Sequence, residues 1–495
     1  MKHRCDTSRR VDLARAWLQA LAVLLLAAAA PPLTAQGPDV IAGSLHEARS
    51  WGTDGSGIYA YSIGTIACNV GDEVVAWQGG NEHHPVIAQN LYRYHEGRFE
   101  QIGLSWVKHG VTALQQFYCG GCTAGGSISA LGVGCSDPYS GHANGLQTRL
   151  GPRSTIDPAT GLFPFPIGIP DYDPVIGRRL QVHAEDLDPA LNPGAVYIAE
   201  AQYIAADDAA AGNADNNASH RYGVVGSAPE FPLTLEGDTQ VSVPAIFAWA
   251  DLDPEVGFSE VTVVNDGKFI LGYRVIDDDN GFWEYEYALY NANSARAAGS
   301  FSVPLPLSNV IEALGFHDVD HHSGEPHSGV DWSPVRGAIA QTWSTFEWST
   351  DANANALRWG TLYNFRFRTN APPVLGEVTI GLFTPGTPSS ATLAALVPQT
   401  ATADHLPFVR GDLNHDGGLD IADPLATLSY LFGGQFGPAC LDAADSDDSG
   451  SIDLADAIHL LSHLFAGGPP PAAPFPTCGP DPTPDLLHCA DSACP

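Results

Sequence analysis

Two twelve-residue acidic loops near the C-terminus constrain this chain more than any other feature. In the first, Asp412, Asn414, Asp416, Gly418, Asp420 and Asp423 occupy positions 1, 3, 5, 7, 9 and 12, the spacing that wraps oxygen ligands around one calcium ion. Asp445, Asp447, Ser449, Ser451, Asp453 and Asp456 repeat the pattern. Gly417 and Gly450 fall at position 6, where the sharp turn leaves no room for a side chain. Each loop runs into apolar residues at helical spacing, Leu425, Leu428, Leu431 and Phe432 after the first and Ile458, Leu461, Leu464 and Phe465 after the second. The pattern predicts about two Ca2+ ions and two helices packed together. Folding should be coupled to the metal, because carboxylates crowded within a few ångströms repel without a cation. Asp423 and Asp456 are read as helix caps, and Pro424 suits a first helical position.

Asp rather than Glu at position 12, with no helical pattern ahead of the first loop, resembles the duplicated type I dockerin module of secreted bacterial proteins. The resemblance covers roughly 407 to 466. It implies a small α-helical calcium-binding domain in which Asp412, Asn414, Asp416, Asp423, Asp445, Asp447, Ser449 and Asp456 give side-chain ligands, and Gly418 and Ser451 give carbonyls. It also implies a cohesin-like or other protein partner, and a body engaged in extracellular polysaccharide binding or breakdown. Dockerins of cellulose-degrading complexes carry polar recognition residues at positions 10 and 11; here these are Ile421 and Ala422, then Leu454 and Ala455.

Export fits both the resemblance and the N-terminus. Lys2, Arg4, Arg9, Arg10 and Arg15 precede an apolar run from 18 to 30, and Leu33-Thr34-Ala35 suits cleavage, so 1 to 35 reads as a signal peptide. The run is shorter than the ~20 residues of a spanning helix, and no second one follows, so a secreted or cell-surface product without a membrane span is expected. Beyond Cys5 the cysteines form two blocks of four, Cys68, Cys119, Cys122 and Cys135, then Cys440, Cys478, Cys489 and Cys494. Even numbers in an exported chain point to disulfides, with three connectivities open in each block. Zinc or redox chemistry at Cys119-Gly120-Gly121-Cys122 is the alternative. A formal charge of -34 argues against nucleic acid as a partner.

Between the signal and the loops, short β-rich runs alternate with Gly, Pro, Asn and Asp turns, which predicts a mainly β body of two units. We place a β-rich unit with long loops at 36 to 235, a β-sandwich at 236 to 386, a linker at 387 to 406 and a Pro/Cys-rich tail at 467 to 495. The turns Asp266-Gly267 and Asn280-Gly281 predict consecutive hairpins. In the strand that follows, Trp283, Tyr285, Tyr287 and Leu289 share one face, as sandwich core rather than a platform for sugar rings. The stretch 206 to 220 reads as a loop or insert.

The body offers several chemical candidates. His317, Asp318, Asp320, His321 and His322, with Glu325 and His327 nearby, are groups that suit a transition metal, though one segment rarely builds a site alone. Glu284 and Glu286 are the candidate pair of a glycosidase. Ser105 and Lys108 match a Ser-x-x-Lys spacing without its companion motifs, and His83, His84, Lys108 and His109 outline a polar pocket at a strand end. The balance favours a calcium-binding protein with a tethered, non-catalytic body over a glycoside hydrolase or metal-dependent hydrolase.

Overall fold

The computed structural model describes residues 35 to 495, except 147, 148, 150, 306 to 308, 338, 400 to 405, 434 to 437, 439, 484 to 486, 488, 490 to 493 and 495. The signal segment lies outside the described residues, apart from Ala35. The protein is mainly β, with a small helical region at its C-terminus.

The first unit is a ten-stranded antiparallel sheet. Its main path runs Val40–Thr53, Ile58–Asn69, Leu180–His183, Arg98–Leu104, Val86–His95, Val196–Ile204, Ala218–Val225 and Leu233–Gln240. The sheet curls until its edges meet: the Leu45 N–H donates to Thr239 Oγ1 (3.0 Å), and Arg221 Nη1 donates to the Leu45 carbonyl (2.7 Å). Closure protects edge strands that would otherwise invite pairing with another chain. Inside lie Ile63, Trp77, Leu91, Val182 and Tyr203, all buried.

The second unit is a sandwich of two five-stranded sheets, one centred on Trp283–Asn291 and Thr361–Thr369, the other on Ala298–Pro304 and Pro373–Leu382. The predicted hairpins form, closed by Val263 N–H to the Gly267 carbonyl (2.8 Å) and Asp278 N–H to the Phe282 carbonyl (3.0 Å). Tyr285 and Tyr287 are buried between the sheets against Phe301 and Phe367, so the aromatic row is core.

Three boundaries move. The strand Leu233–Gln240 crosses the expected break at 235 and belongs to the first unit. Within the expected linker, Ser390–Pro398 pairs with Pro373 to Gly381 of the strand Pro373–Leu382. Leu393, Ala395 and Val397 point inward, a period-two signal hidden because two of the neighbouring core positions are small alanines and the flanks are rich in Thr, Ser and Pro. The expected insert at 206 to 220 holds the helix Ala206–Ala211 and the start of Ala218–Val225. Buried Asp208 ties it down, accepting from the Val40 N–H (2.9 Å) and Asn217 Nδ2 (2.8 Å).

The two units share a core. Trp249, on the helix Ala248–Leu252 that follows the first sheet, is fully buried among Phe99, Ile198, Ile270 and Leu362. Beside it, the buried Glu200 carboxylate accepts from Asn90 Nδ2 (2.8 Å), Tyr92 Oη (3.0 Å), Tyr290 Oη (3.3 Å) and the Ala245 N–H (2.7 Å). A buried carboxylate with four donors is held rather than exposed to rearrangement.

Candidate metal centre

The two acidic loops adopt the same backbone. Position 4 is left-handed in both, at His415 and Asp448 with φ 59°, and position 6 follows at Gly417 (φ 84°) and Gly450 (φ 77°). The position-1 carboxylate accepts from the position-6 N–H, Asp412 Oδ2 from Gly417 (3.0 Å) and Asp445 Oδ2 from Gly450 (2.8 Å). The position-12 carboxylate reaches back across the loop. Asp423 accepts from the N–H of Leu413 (3.0 Å) and Asp420 (2.9 Å), and Asp456 accepts from Ser446 (2.8 Å) and Asp453 (2.8 Å).

These bonds hold the carboxylates in place before any cation arrives. Asp445, Asp447 and Asp456 offer oxygens that all lie within 4.8 Å of one another. In the first loop Asp412 is buried, and its Oδ1 has no hydrogen-bond partner. A buried carboxylate oxygen without a donor is costly, and a cation is the partner that removes the cost. Burial also pushes the carboxyl pKa of Asp423 and Asp445 up, and that of Asp456 up to about 6, with the charges of Asp445 and Asp447 adding to the last. The donor set fits calcium: oxygen ligands at the expected positions, three carboxylates per loop (Asp412, Asp416 and Asp423; Asp445, Asp447 and Asp456), and no nitrogen or sulfur.

Asn414 and Asp416 bond to one another (3.0 Å), and Ser449 Oγ donates to the Ser451 carbonyl (3.2 Å). Asp453, at position 9, is the N-cap of the second helix, accepting from the Ala455 N–H in a capping box that Asp456 completes, and Asp420 makes the matching bond to the Ala422 N–H (2.7 Å). The helices therefore begin earlier than expected, at Ala422–Gly433 and Leu454–Ala466, and the position-12 Asp sits in the first turn, where its charge suits the helix dipole. Pro424 still lies within that turn. The two helices pack together as expected.

The tail at 467 to 495 is part of this module rather than an appendage. Phe408 and Gly479 exchange backbone hydrogen bonds (2.9 and 3.0 Å), and the Arg410 N–H donates to the Pro474 carbonyl (2.8 Å). Cys440–Cys489 staples the tail to the module and Cys478–Cys494 closes a loop within the tail, while Cys68–Cys119 and Cys122–Cys135 close the body block. Disulfides in all eight positions agree with maturation in an oxidising compartment and leave no thiolate for zinc at Cys119 and Cys122.

Sequence reasoning missed Arg410. Its side chain is fully buried, and it donates to the carbonyls of Ala473 (2.9 Å), Asp442 (3.3 Å) and Asp445 (2.8 Å) and to the carboxylate of Asp481 (2.8 Å), and it forms an ion pair with Asp448 (2.8 Å). One guanidinium thus joins the segment entering loop one, the opening residue of loop two and the tail. Its signal was present only as an isolated cation in a very acidic segment.

In the body, the structure brings only part of the histidine segment together: the His321 and His327 rings lie 5.0 Å apart and line one cavity with Glu325, while the rest disperses. His317 Nε2 lies 3.2 Å from the Gln101 carbonyl, Asp320 pairs with His183 (2.7 Å), and His321 Nε2 faces Asn355 Oδ1 (3.0 Å). Asp318 accepts from Asn355 Nδ2. Both ring nitrogens of buried His322 face backbone carbonyls, of Ser323 (2.7 Å) and Arg179 (2.8 Å), so neither points at a metal site. Asp318 and His321 share Asn355, whereas His317, Asp320 and His322 are held by residues of the first unit, because the segment threads between the two units.

Glu284 and Glu286 do line one polar cavity of about 110 Å³, with Arg98, Arg274 and Arg366. Glu284 is exposed, whereas burial pushes Glu286 up to about 8 against the pull of Arg366 and Arg98. Ser105 Oγ is spent on the Trp106 carbonyl (2.6 Å), which removes it as a nucleophile paired with Lys108. Among the described residues no helix is long and apolar enough to cross a membrane.

No family model matches the chain, and no curated protein matches it. Among solved structures the chain is similar to a serine-rich repeat adhesion glycoprotein (Srr1) from Streptococcus agalactiae, at 10% identity over 68% of this chain and 89% of that one, with a TM-score of 0.18. At that score the likeness carries no functional argument, and function rests on the residues themselves.

Proposed function

We propose that this is an exported calcium-binding protein whose dockerin-like C-terminal module tethers a non-catalytic β-rich body to a protein partner. The observation that carries the reading is the repetition of one loop in two copies, down to the hydrogen bonds of positions 1, 6, 9 and 12. Calcium supplies the positive charge that the clustered carboxylates lack.

The repetition extends to the surface. Ile421 and Leu454, Leu425 and Ile458, and Phe432 and Phe465 occupy equivalent places on the two helices, and all six are exposed, Phe432 at 74% and Phe465 at 68%. Exposed phenylalanines paired in this way mark a docking face. The face is apolar, so the partner that fits is a cohesin-like domain with an uncharged, apolar surface rather than a polar one.

Binding of the full chain to a panel of cohesin domains in calcium, measured by calorimetry, tests this. Affinity should vanish on chelation and in the Phe432→Glu, Phe465→Glu double variant; equal affinity in wild type and variant across the panel would refute the docking face. The Glu284 and Glu286 cavity favours a second reading, a glycoside hydrolase with Glu286 as the protonated acid. Turnover of a polysaccharide that is lost in Glu286→Gln would put that reading first.

A further inference from the structure

The outer face of the second sandwich sheet carries its hydroxyl groups in register. Phe301, Trp343, Ile380 and Leu393 point inward between the two sheets, so their neighbours along each strand point out. Ser333, Ser344, Ser300, Gly381 and Ser390 stand opposite one another across five strands, in the order Ser333–Arg336, Ala340–Ser344, Ala298–Pro304, Pro373–Leu382 and Ser390–Pro398. Two residues along each strand, Val335, Thr342, Ser302, Thr379 and Thr392 form a second row. Neither row holds a charge, in a chain with 56 acidic residues. Ser302 and Thr342 bond to each other (2.8 Å), whereas among the described residues the hydroxyls of Ser344, Ser300, Thr379 and Thr392 have no partner within the protein.

The first row borders an open groove of about 370 Å³ whose far wall holds Thr345, Phe346, Glu347 and Trp348. Phe346 is 54% exposed and Trp348 38%. Their turn is fixed at both ends. The Thr345 N–H donates to the Gly299 carbonyl (3.0 Å), and the N–H groups of Thr350 and Asp351 donate to the Glu347 carbonyl (2.9 and 3.0 Å). Trp348 also rests edge-on against Phe383, with ring centres 5.4 Å apart. A ring already held in place loses little conformational entropy when a ligand lands on it. The floor is shaped by a bulge at Gly299, where the pairing slips between Ala298 and Ser300. At Gly381 a Cβ would stand 2.3 Å from Ser300 Oγ, so glycine there leaves the Ser300 hydroxyl standing clear in the groove.

A ligand for this surface needs an apolar face for the rings, a rim of donors and acceptors for the hydroxyls, and no charge. A pyranose ring has all three, with C–H bonds on its faces and hydroxyls around its edge. Strands ~4.8 Å apart also repeat at about the length of one sugar unit, so a chain laid across them meets similar groups at each step. An anionic glycan would be repelled by a protein of formal charge -34.

We propose that this face binds a neutral polysaccharide, with one sugar ring stacked on Trp348, Phe346 beside it, and the chain running across the serine and threonine rows. The site lies on the body, so it stands whether or not the C-terminal module docks a partner.

Native affinity electrophoresis of the full chain in calcium, through gels holding hydroxyethyl cellulose, xyloglucan, glucomannan or polygalacturonate, tests the proposal. Retardation by at least one of the three neutral polymers, and none by polygalacturonate, is expected. On the polymer that binds, Trp348→Ala should lower the association constant about tenfold or more, and Ser344→Leu, which fills the row, should do the same. Circular dichroism checks that both variants fold, and Phe346→Ala replaces Trp348→Ala if that one does not. Phe432→Glu with Phe465→Glu should bind as wild type does, which separates this site from the docking face of the module. No retardation by any neutral polymer, equal retardation by polygalacturonate, or wild-type affinity in either groove variant would overturn the proposal. Binding of poly-L-proline but of no polysaccharide would overturn it too, and would make the groove a peptide site.

Discussion

Replacing Arg410 by Met tests whether the tail and the second calcium loop are one cooperative unit. Met keeps most of the volume but removes every polar contact: three backbone carbonyls and the carboxylates of Asp481 and Asp448. Asp481 is buried, so the variant leaves a carboxylate without its cation, a loss of about 3–5 kcal/mol. Calcium at a hundredfold excess over its Kd contributes about 2.7 kcal/mol per site, so two filled sites only just offset the damage. For a domain of this size each kcal/mol moves Tm by roughly 4–8 °C, which predicts a fall of at least about 12 °C in calcium and no folded module without it. Differential scanning calorimetry of the full chain, with the module assigned as the transition that chelation shifts, reads both numbers. Because Nη1 holds the carbonyl of Asp445, the second site should also lose more affinity than the first. A shift below about 4 °C with both calcium affinities unchanged would refute the reasoning.

Other outcomes follow from the same contacts. Glu286 has a folded pKa raised by burial to about 8, so the folded state holds its proton while the unfolded chain has lost it. Its contribution is therefore present at low pH and declines as pH rises from about 4.5 to 8, and Glu286→Gln should stabilise the body by on the order of 2 kcal/mol at pH 7 and flatten that slope, read by urea unfolding across pH. Removing Cys440–Cys489 with paired Ser substitutions opens a closure spanning 49 residues and should cost the module about 4 kcal/mol, seen as a lower midpoint in denaturant with the body transition unchanged. Phe432→Glu with Phe465→Glu should leave calcium affinity and Tm within about 0.5 kcal/mol of wild type, since both rings are solvent-facing, and change only association.

What could be read from the sequence was local. Position 6 glycines, alternating carboxylates and the helical apolar spacing sit within a dozen residues of each other, so loop geometry follows without knowing the fold. The Asp266-Gly267 and Asn280-Gly281 hairpins were legible for the same reason. Arg410 was not, because its partners at 442, 445, 473 and 481 are brought to it only by folding. Ser390–Pro398 was hidden by small alanines at its inward positions. His322 has the right chemistry for a ligand, yet what decides its role is where the carbonyl of Arg179 lies, a fact of tertiary structure. The strand-end grouping of His84 and His109 was legible in the sequence, and the structure packs their rings 4.4 Å apart.

The central claim is calcium at the two C-terminal loops, and calorimetric titration of calcium into the chelator-stripped full chain tests it most directly. The account predicts two ions per chain, with one site abolished by Asp412→Ala and the other by Asp445→Ala. Wild-type protein that takes up no calcium, or variants that still bind two ions, would contradict it.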